Sequence, residues 1–189
     1  MNETQRCAWC GDDALYVAYH DQEWGRPERD DRKLFEMLIL EGAQAGLSWI
    51  TILRKREGYR AAFHGFHPEK VAAMDEDDVE RLMQNPGIVR NRLKIRSAIR
   101  NAKVFLQMQR EHGSFADWLW GHVDGQPILR RRDDERVPAS TELSDHISKE
   151  LKKAGMNFVG STVVYAYLQA CGVVNDHLAG CFLHPHGDA

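Results

Sequence analysis

The 189-residue chain is 43% hydrophobic and 28% charged, with a formal net charge of −3, the make-up of an ordinary soluble globular protein. Its length supplies one ample core or two small lobes sharing a boundary. No apolar run approaches the ~20 residues that span a bilayer, because Gly42, Gln44, Gly46 and Ser48 interrupt the best one. The opening MNETQRCAWCGDD has neither the basic segment nor the apolar core of a signal peptide. The expected compartment is therefore a reducing cytoplasm, where four cysteines serve as metal ligands or free thiols rather than disulfides.

Nearly every periodic segment reads as helix, and no pair of alternating runs reads as a strand hairpin. Asp30 or Asp31 can cap a helix over Arg32–Gln44, and Gly42 and Gly46 loosen its end before a second stretch, Ser48–Arg56. Pro68 fits the first turn of a short helix over 68–74. Asp75 caps a helix over 76–84, which Asn85-Pro86-Gly87 breaks. A long helix from about Asn91 to Gln109 carries an apolar stripe of Ile95, Ile99, Ala102 and Leu106. A short helix covers 114–120. The stretch 121–140 is polar, broken by Gly and Pro, and reads as an exposed excursion. Ser144 opens a helix that Gly155 closes, and an apolar helix over 161–171 ends at Gly172. The expected architecture is an all-α single domain over 1–189, with room for two helical lobes.

Within Met37–Leu53, Glu41 is the one charged residue. A carboxylate in such surroundings must find a partner, shift its pKa, or await a ligand. Tyr16, Tyr19, Trp24 and Trp49 lie near it in sequence, and an acceptor among aromatic faces suits a flat, cationic, hydrogen-bonding molecule. The competing structural role is a helix-buried Glu paired with an arginine from elsewhere.

Cys7 and His20 near the start and His177 and Cys181 near the end form a Cys2His2 set. His177 and Cys181 are four apart, so one helical turn presents both on one face. Such a closed set holds zinc as a staple, with no open position for water. Cys7–Cys10 is itself a CxxC, so Cys7/Cys10 with His177/Cys181 ranks level with the set that uses His20. His184 and His186 are spare donors, and Cys171 reads as a core thiol.

From Ile88 to Arg110 there are seven basic residues, Arg90, Arg92, Lys94, Arg96, Arg100, Lys103 and Arg110, and no acid. Together with helix 76–84 and the 85–89 turn, this segment looks like a helix–hairpin–helix. There Gly87 allows a tight turn, and helix-start N–H groups face a phosphate. Arg90, Arg92 and Lys94 would add charge to that backbone contact. A solvated basic face is the alternative.

These pieces together resemble the bacterial 3-methyladenine DNA glycosylase I family. The segments that carry the resemblance are CAW at 7–9, YVAYHDQEWG at 16–25, KLFEMLILEGAQAGLSWITILRKRE at 33–57, NPGIVRNRLKI at 85–95 and FVGSTVVYAYLQACGVVNDHLAGC at 158–181. The resemblance implies a helix–hairpin–helix DNA glycosylase fold, a bilobal helical domain whose termini are tied by a structural zinc. Its ligands map onto Cys7, His20, His177 and Cys181, leaving Cys10 as an extra thiol. It further implies a pocket where Glu41 accepts hydrogen bonds from a methylated adenine. Tyr19 and Trp49 contact that base, Trp9, Tyr16 and Trp24 add lining, and Leu47 wedges into the space an extruded base leaves. The implied partners are double-stranded alkylated DNA and the free base 3-methyladenine, handled by a monomer with no membrane. The catalytic Asp that many members of the wider superfamily carry downstream of the hairpin has no counterpart; Glu111, Asp117 and Asp124 sit in no such motif. Two rival readings are a zinc-stapled DNA-binding module without catalysis and a zinc hydrolase using Glu23 as base.

Overall fold

The computed structural model describes residues 5–130 and 137–184; His186 lies outside the described residues. The helices in chain order are α1 (Ala14–Gln22), α2 (Asp31–Gln44), α3 (Trp49–Ala62), α4 (Pro68–Ala72), α5 (Glu76–Met83), α6 (Arg92–His112), α7 (Phe115–Gly121), α8 (Glu142–Ala154) and α9 (Ser161–Ala170). Two two-residue strands, β1 (Ile128–Leu129) and β2 (Val174–Asn175), pair in parallel, with Ile128 opposite Val174. Neither strand is legible in the sequence, because two residues are too short for alternation to register. This pairing ties part of the 121–140 excursion to the segment after α9.

The centre of the molecule is α2. Every residue from Leu34 to Ala43 is buried, so this helix packs on all sides, against α3, α6, α7 and α9. Its first turn divides the capping work. Asp30 Oδ1 accepts from Lys33 N at 2.9 Å, whereas Asp31 accepts from Phe115 N and Ala116 N at 2.9 and 2.8 Å and so caps α7. α1 lacks a strong apolar stripe but has a clear start: Asp13 accepts from Leu15 N and Tyr16 N. On α6 the expected stripe shifts at its end, where Leu106 is half-buried and Phe105 enters the core to stack on Phe115 at 4.3 Å. Ser144 does not open α8; it is the third residue of a capping box whose first member is Thr141.

The hairpin between α5 and α6 is fastened to α3. Lys55 Nζ donates to Pro86 O at 2.8 Å, and Val89 N donates to the Tyr59 hydroxyl at 3.2 Å. Gly87 is there for closeness rather than for a left-handed turn. A Cβ on Gly58 would meet Gly87 O at 2.2 Å, so two glycines let the α3 and hairpin backbones touch. No helix among the described residues is long and apolar enough to cross a membrane.

Candidate active site and metal-ligand cluster

A cleft of about 530 Å³ opens beside α2. The sequence candidates Trp9, Tyr16, Tyr19, Trp24, Glu41 and Trp49 all line it, although they come from the N-terminal turn, α1, the loop after α1, α2 and the start of α3. Their rings form a continuous series. Trp9 lies 5.1 Å from Tyr16 and 4.9 Å from Trp24, and Tyr19 lies 5.5 Å from Trp49, centroid to centroid. Among the described residues, no lysine or arginine lines the cleft.

Glu41 is 4% exposed and has no hydrogen-bond or ion-pair partner among the described residues. Burial pushes its carboxyl up to about 8. The acid that a structural role would predict is its neighbour on the same helix: Glu36 takes Arg56 Nε at 2.6 Å and Arg60 NH2 at 2.8 Å. Two further polar atoms beside Glu41 are buried without a partner, the Tyr19 hydroxyl and the Trp49 indole N–H. A buried polar group without a partner costs about 1–3 kcal/mol. Three such groups facing one cleft are the signature of a site built for something that brings complementary polar atoms.

The cleft also contains residues that sequence reasoning passed over. Gln44 follows Glu41 by one residue short of a turn and lines the same wall. Asp176 is 2% exposed; its Oδ2 accepts from the Tyr165 hydroxyl and, at 2.9 Å, from Gln169 Nε2. The legible signal was position: Asp176 precedes His177, so a metal ligand and a cleft acid are adjacent in the chain. Val137, from the end of the 121–140 excursion, closes part of the rim.

Leu47 does not line the cleft. It stands 39% exposed on the turn between α2 and α3, after Gly46 at φ +80°. Of the hairpin candidates, Gly87 is half-buried and Arg90 is exposed. Arg92 is paired with Glu80, and Arg96 with Glu76 at 2.7 Å. The acid-free basic helix is thus partly neutralised by Glu76 and Glu80 of α5. Lys94 is engaged inward: its Nζ donates to Ala43 O and Ala45 O at 2.8 and 2.6 Å, tying α6 to the end of α2. Glu23, the base that a hydrolase would need, is held by Arg56 at 2.8 Å.

Cys7, His20, His177 and Cys181 converge with their donor atoms within 4.8 Å of one another, all four buried. His177 and Cys181 reach this arrangement without the expected helix; the segment is turn and coil. Cys10 stands apart, its thiol directed to Cys7 O at 3.1 Å. The donor set fits a tetrahedral ion. Cys7 Sγ and Cys181 Sγ lie 3.6 and 3.5 Å from His177 Nδ1, and Cys181 Sγ lies 3.5 Å from His20 Nε2. With metal bonds of about 2.3 Å to sulfur and about 2.0–2.1 Å to nitrogen, a tetrahedron puts neighbouring N and S donors about 3.5–3.6 Å apart. Both rings are oriented from behind, His20 Nδ1 by Asp21 at 2.7 Å and His177 Nε2 by the Trp24 carbonyl at 3.1 Å. Burial holds His177 down at about 4, in the neutral form a ligand needs, and pushes the Cys7 thiol up to about 12. A buried thiol of that kind becomes a thiolate when a cation offsets its charge.

Comparison with known proteins agrees with this geometry. The methyladenine glycosylase family model matches residues 9–184. DNA-3-methyladenine glycosylase 1 of Escherichia coli (strain K12) is 55% identical over 182 residues, covering 96% of this chain and 97% of that protein. A crystal structure of 3-methyladenine DNA glycosylase I superimposes with a TM-score of 0.93 at 58% identity, covering 96% of this chain and all of that one. The Staphylococcus aureus enzyme, solved to explain its 3-methyladenine recognition, reaches a TM-score of 0.93 at 38% identity, covering 98% of this chain and 99% of its own. On these matches and on its mostly helical fold, the chain belongs to the methyladenine glycosylase family.

Proposed function

We propose that this chain is a monofunctional DNA glycosylase of base excision repair that flips 3-methyladenine out of alkylated DNA and hydrolyses its glycosidic bond, leaving an abasic site. The observation that carries this reading is the unpartnered Glu41 carboxyl inside an aromatic cleft beside two unpaired donors, Tyr19 and Trp49. An adenine offers amine hydrogens to the carboxylate and ring nitrogens to the donors. Methylation at the third ring nitrogen makes the base cationic, and ring faces favour it over neutral adenine by roughly 0.5–2 kcal/mol. Glu41, protonated while buried alone, ionises against that cation.

The lesion needs little acid catalysis. As the bond from the sugar to the base breaks, its electron pair neutralises the ring, and the base leaves uncharged. Positive charge builds on the sugar, where the adjacent phosphates help stabilise it; water adds there and releases its proton to solvent. The enzyme contributes extrusion, which costs a few kcal/mol, together with stacking and orientation. Trp9, Tyr16 and Trp24 complete the lining, and Leu47, exposed on its turn, fills the gap left in the duplex.

Double-stranded DNA docks on the hairpin turn around Gly87, whose own N–H donates to Asn85 Oδ1 at 2.8 Å, through Arg90 and Arg92, with Lys94 adding charge to that face while it clamps α2. The Cys7/His20/His177/Cys181 cluster holds a structural zinc: two thiolates and two imidazoles suit that ion and leave no position for water. The chain acts as one catalytic unit and as a monomer. Its four unpaired cysteines suit a reducing cytoplasm.

The test is excision from randomly alkylated duplex DNA, with released bases identified by chromatography. Release of 3-methyladenine is expected. Release of 7-methylguanine alone would keep the reaction and overturn the pocket chemistry. Binding without any abasic product would leave a DNA-binding module.

A further inference from the structure

Between the end of α7 and α8 lies a cluster that neither the cleft nor the Cys/His quartet uses. We propose that His122, His146 and Glu150 form a second metal site, for an exchangeable zinc-class divalent cation. His122 caps the C-terminus of α7, and His146 and Glu150 are four apart on α8. One donor atom from each lies within 4.8 Å of the other two. The carboxylate faces both rings at once: Glu150 Oε2 is 3.4 Å from His122 Nε2, and Oε1 is 3.3 Å from His146 Nε2. For metal bonds of about 2.0–2.2 Å to nitrogen and oxygen, neighbouring donors of a tetrahedron sit roughly 3.3–3.6 Å apart.

Two other observations point the same way. His122 Nε2 is a buried nitrogen with no hydrogen-bond partner, although a carboxylate is near it. The carboxylate is also oriented from outside the cluster, because the Trp118 indole N–H donates to Glu150 Oε2 at 3.2 Å while its ring packs 5.0 Å from His122. Two neutral imidazoles and one carboxylate favour zinc and its neighbours over magnesium or calcium, which prefer all-oxygen shells. His146 is exposed, so the ion has a path in and a fourth position for water. With one negative donor instead of two, this site binds more weakly than the quartet and exchanges.

Its position gives it a consequence. His122 begins the connection that runs to Thr141 and carries Val137 to the cleft rim. A cation joining His122 to α8 clamps the base of that connection.

The experiment is metal counting by native mass spectrometry on the full chain, at rising free zinc, for the wild type and for His146→Ala and His122→Asn. The wild type is expected to take up one zinc more than either variant, and its Tm to rise with micromolar zinc where theirs does not. Magnesium should produce neither effect. Because the readout is a difference of one ion between chains, it stands whatever the quartet holds. Equal counts in the wild type and the exposed-site variant His146→Ala, with matching circular dichroism, overturn the proposal.

Discussion

The His177 ring nitrogen Nε2 and the Trp24 carbonyl meet at 3.1 Å, and the two rings stand edge to face at 4.7 Å. One face of Trp24 therefore belongs to the cleft wall and its backbone to the metal cluster. Trp9 repeats the arrangement, 5.3 Å from His20 and 4.9 Å from Trp24. The Cys/His quartet, which brings Cys7 and Cys181 together, is the back of the aromatic wall.

Metal removal should act on both. Stripping the quartet with a strong chelator leaves two thiols and two imidazoles buried against each other, and the termini should loosen. The expected outcome is a large fall in Tm together with loss of near-ultraviolet dichroism from Trp9 and Trp24, with base binding lost in the same titration. If the fold persists and only turnover disappears, the ion is catalytic and the staple reading fails.

Glu41 gives a stability signature of definite sign. Its folded pKa of about 8 lies above the ordinary 4.5, so between those values the folded chain holds a proton that the unfolded chain releases. Stability contributed by this group falls as pH rises from about 4.5 to 8 and levels off above. Glu41→Gln escapes that loss. Its stability advantage over the wild type should be near zero at pH 4.5 and grow to the order of a few kcal/mol by pH 8–9, read by urea unfolding across pH. Excision by the same variant should fall at least tenfold. A gap that does not widen with pH would mean the carboxyl is solvated.

The unpaired donors should show the trade of stability for function that built sites display. Tyr19→Phe removes a buried hydroxyl that has no partner, so the folded protein should be unchanged or up to about 1–2 kcal/mol more stable. Its affinity for 3-methyladenine should drop several-fold. Trp49→Phe keeps a ring and loses the N–H; Trp49→Ala loses both and should bind more weakly still. Titrations of the free base on all three proteins, beside their thermal melts, separate stacking from hydrogen bonding.

On the hairpin, Glu80 holds Arg92 in an ion pair, so a phosphate docking on Arg92 would have to displace it. Glu80→Gln should tighten binding to undamaged duplex and steepen the dependence of log K on log salt by up to about 0.9, one phosphate contact. Arg90→Gln should shift both in the opposite direction. Fluorescence anisotropy over a salt series measures the slope, and an unchanged slope in both variants would place the DNA elsewhere.

Much of the local structure was legible because it is local. Helix spans follow from apolar spacing and from caps such as Asp30, Asp75 and Asn91, each of which acts within three residues of itself. A lone carboxylate in an apolar run marked Glu41, and residue type alone named a set of soft metal donors. What the sequence could not decide were matters of who meets whom across the chain. Glu36 and Glu41 share one buried helix, yet only the first finds arginines, because α3 turns Arg56 and Arg60 toward it. His20 rather than Cys10 completes the cluster with Cys7, because the turn of 8–10 directs the Cys10 thiol back to Cys7 O. Lys94 stands in a basic run along the sequence, yet its Nζ donates to the carbonyls at the end of α2. Spacing along a chain encodes which face a side chain takes; its partner depends on where remote segments pack, and only the folded core supplies that.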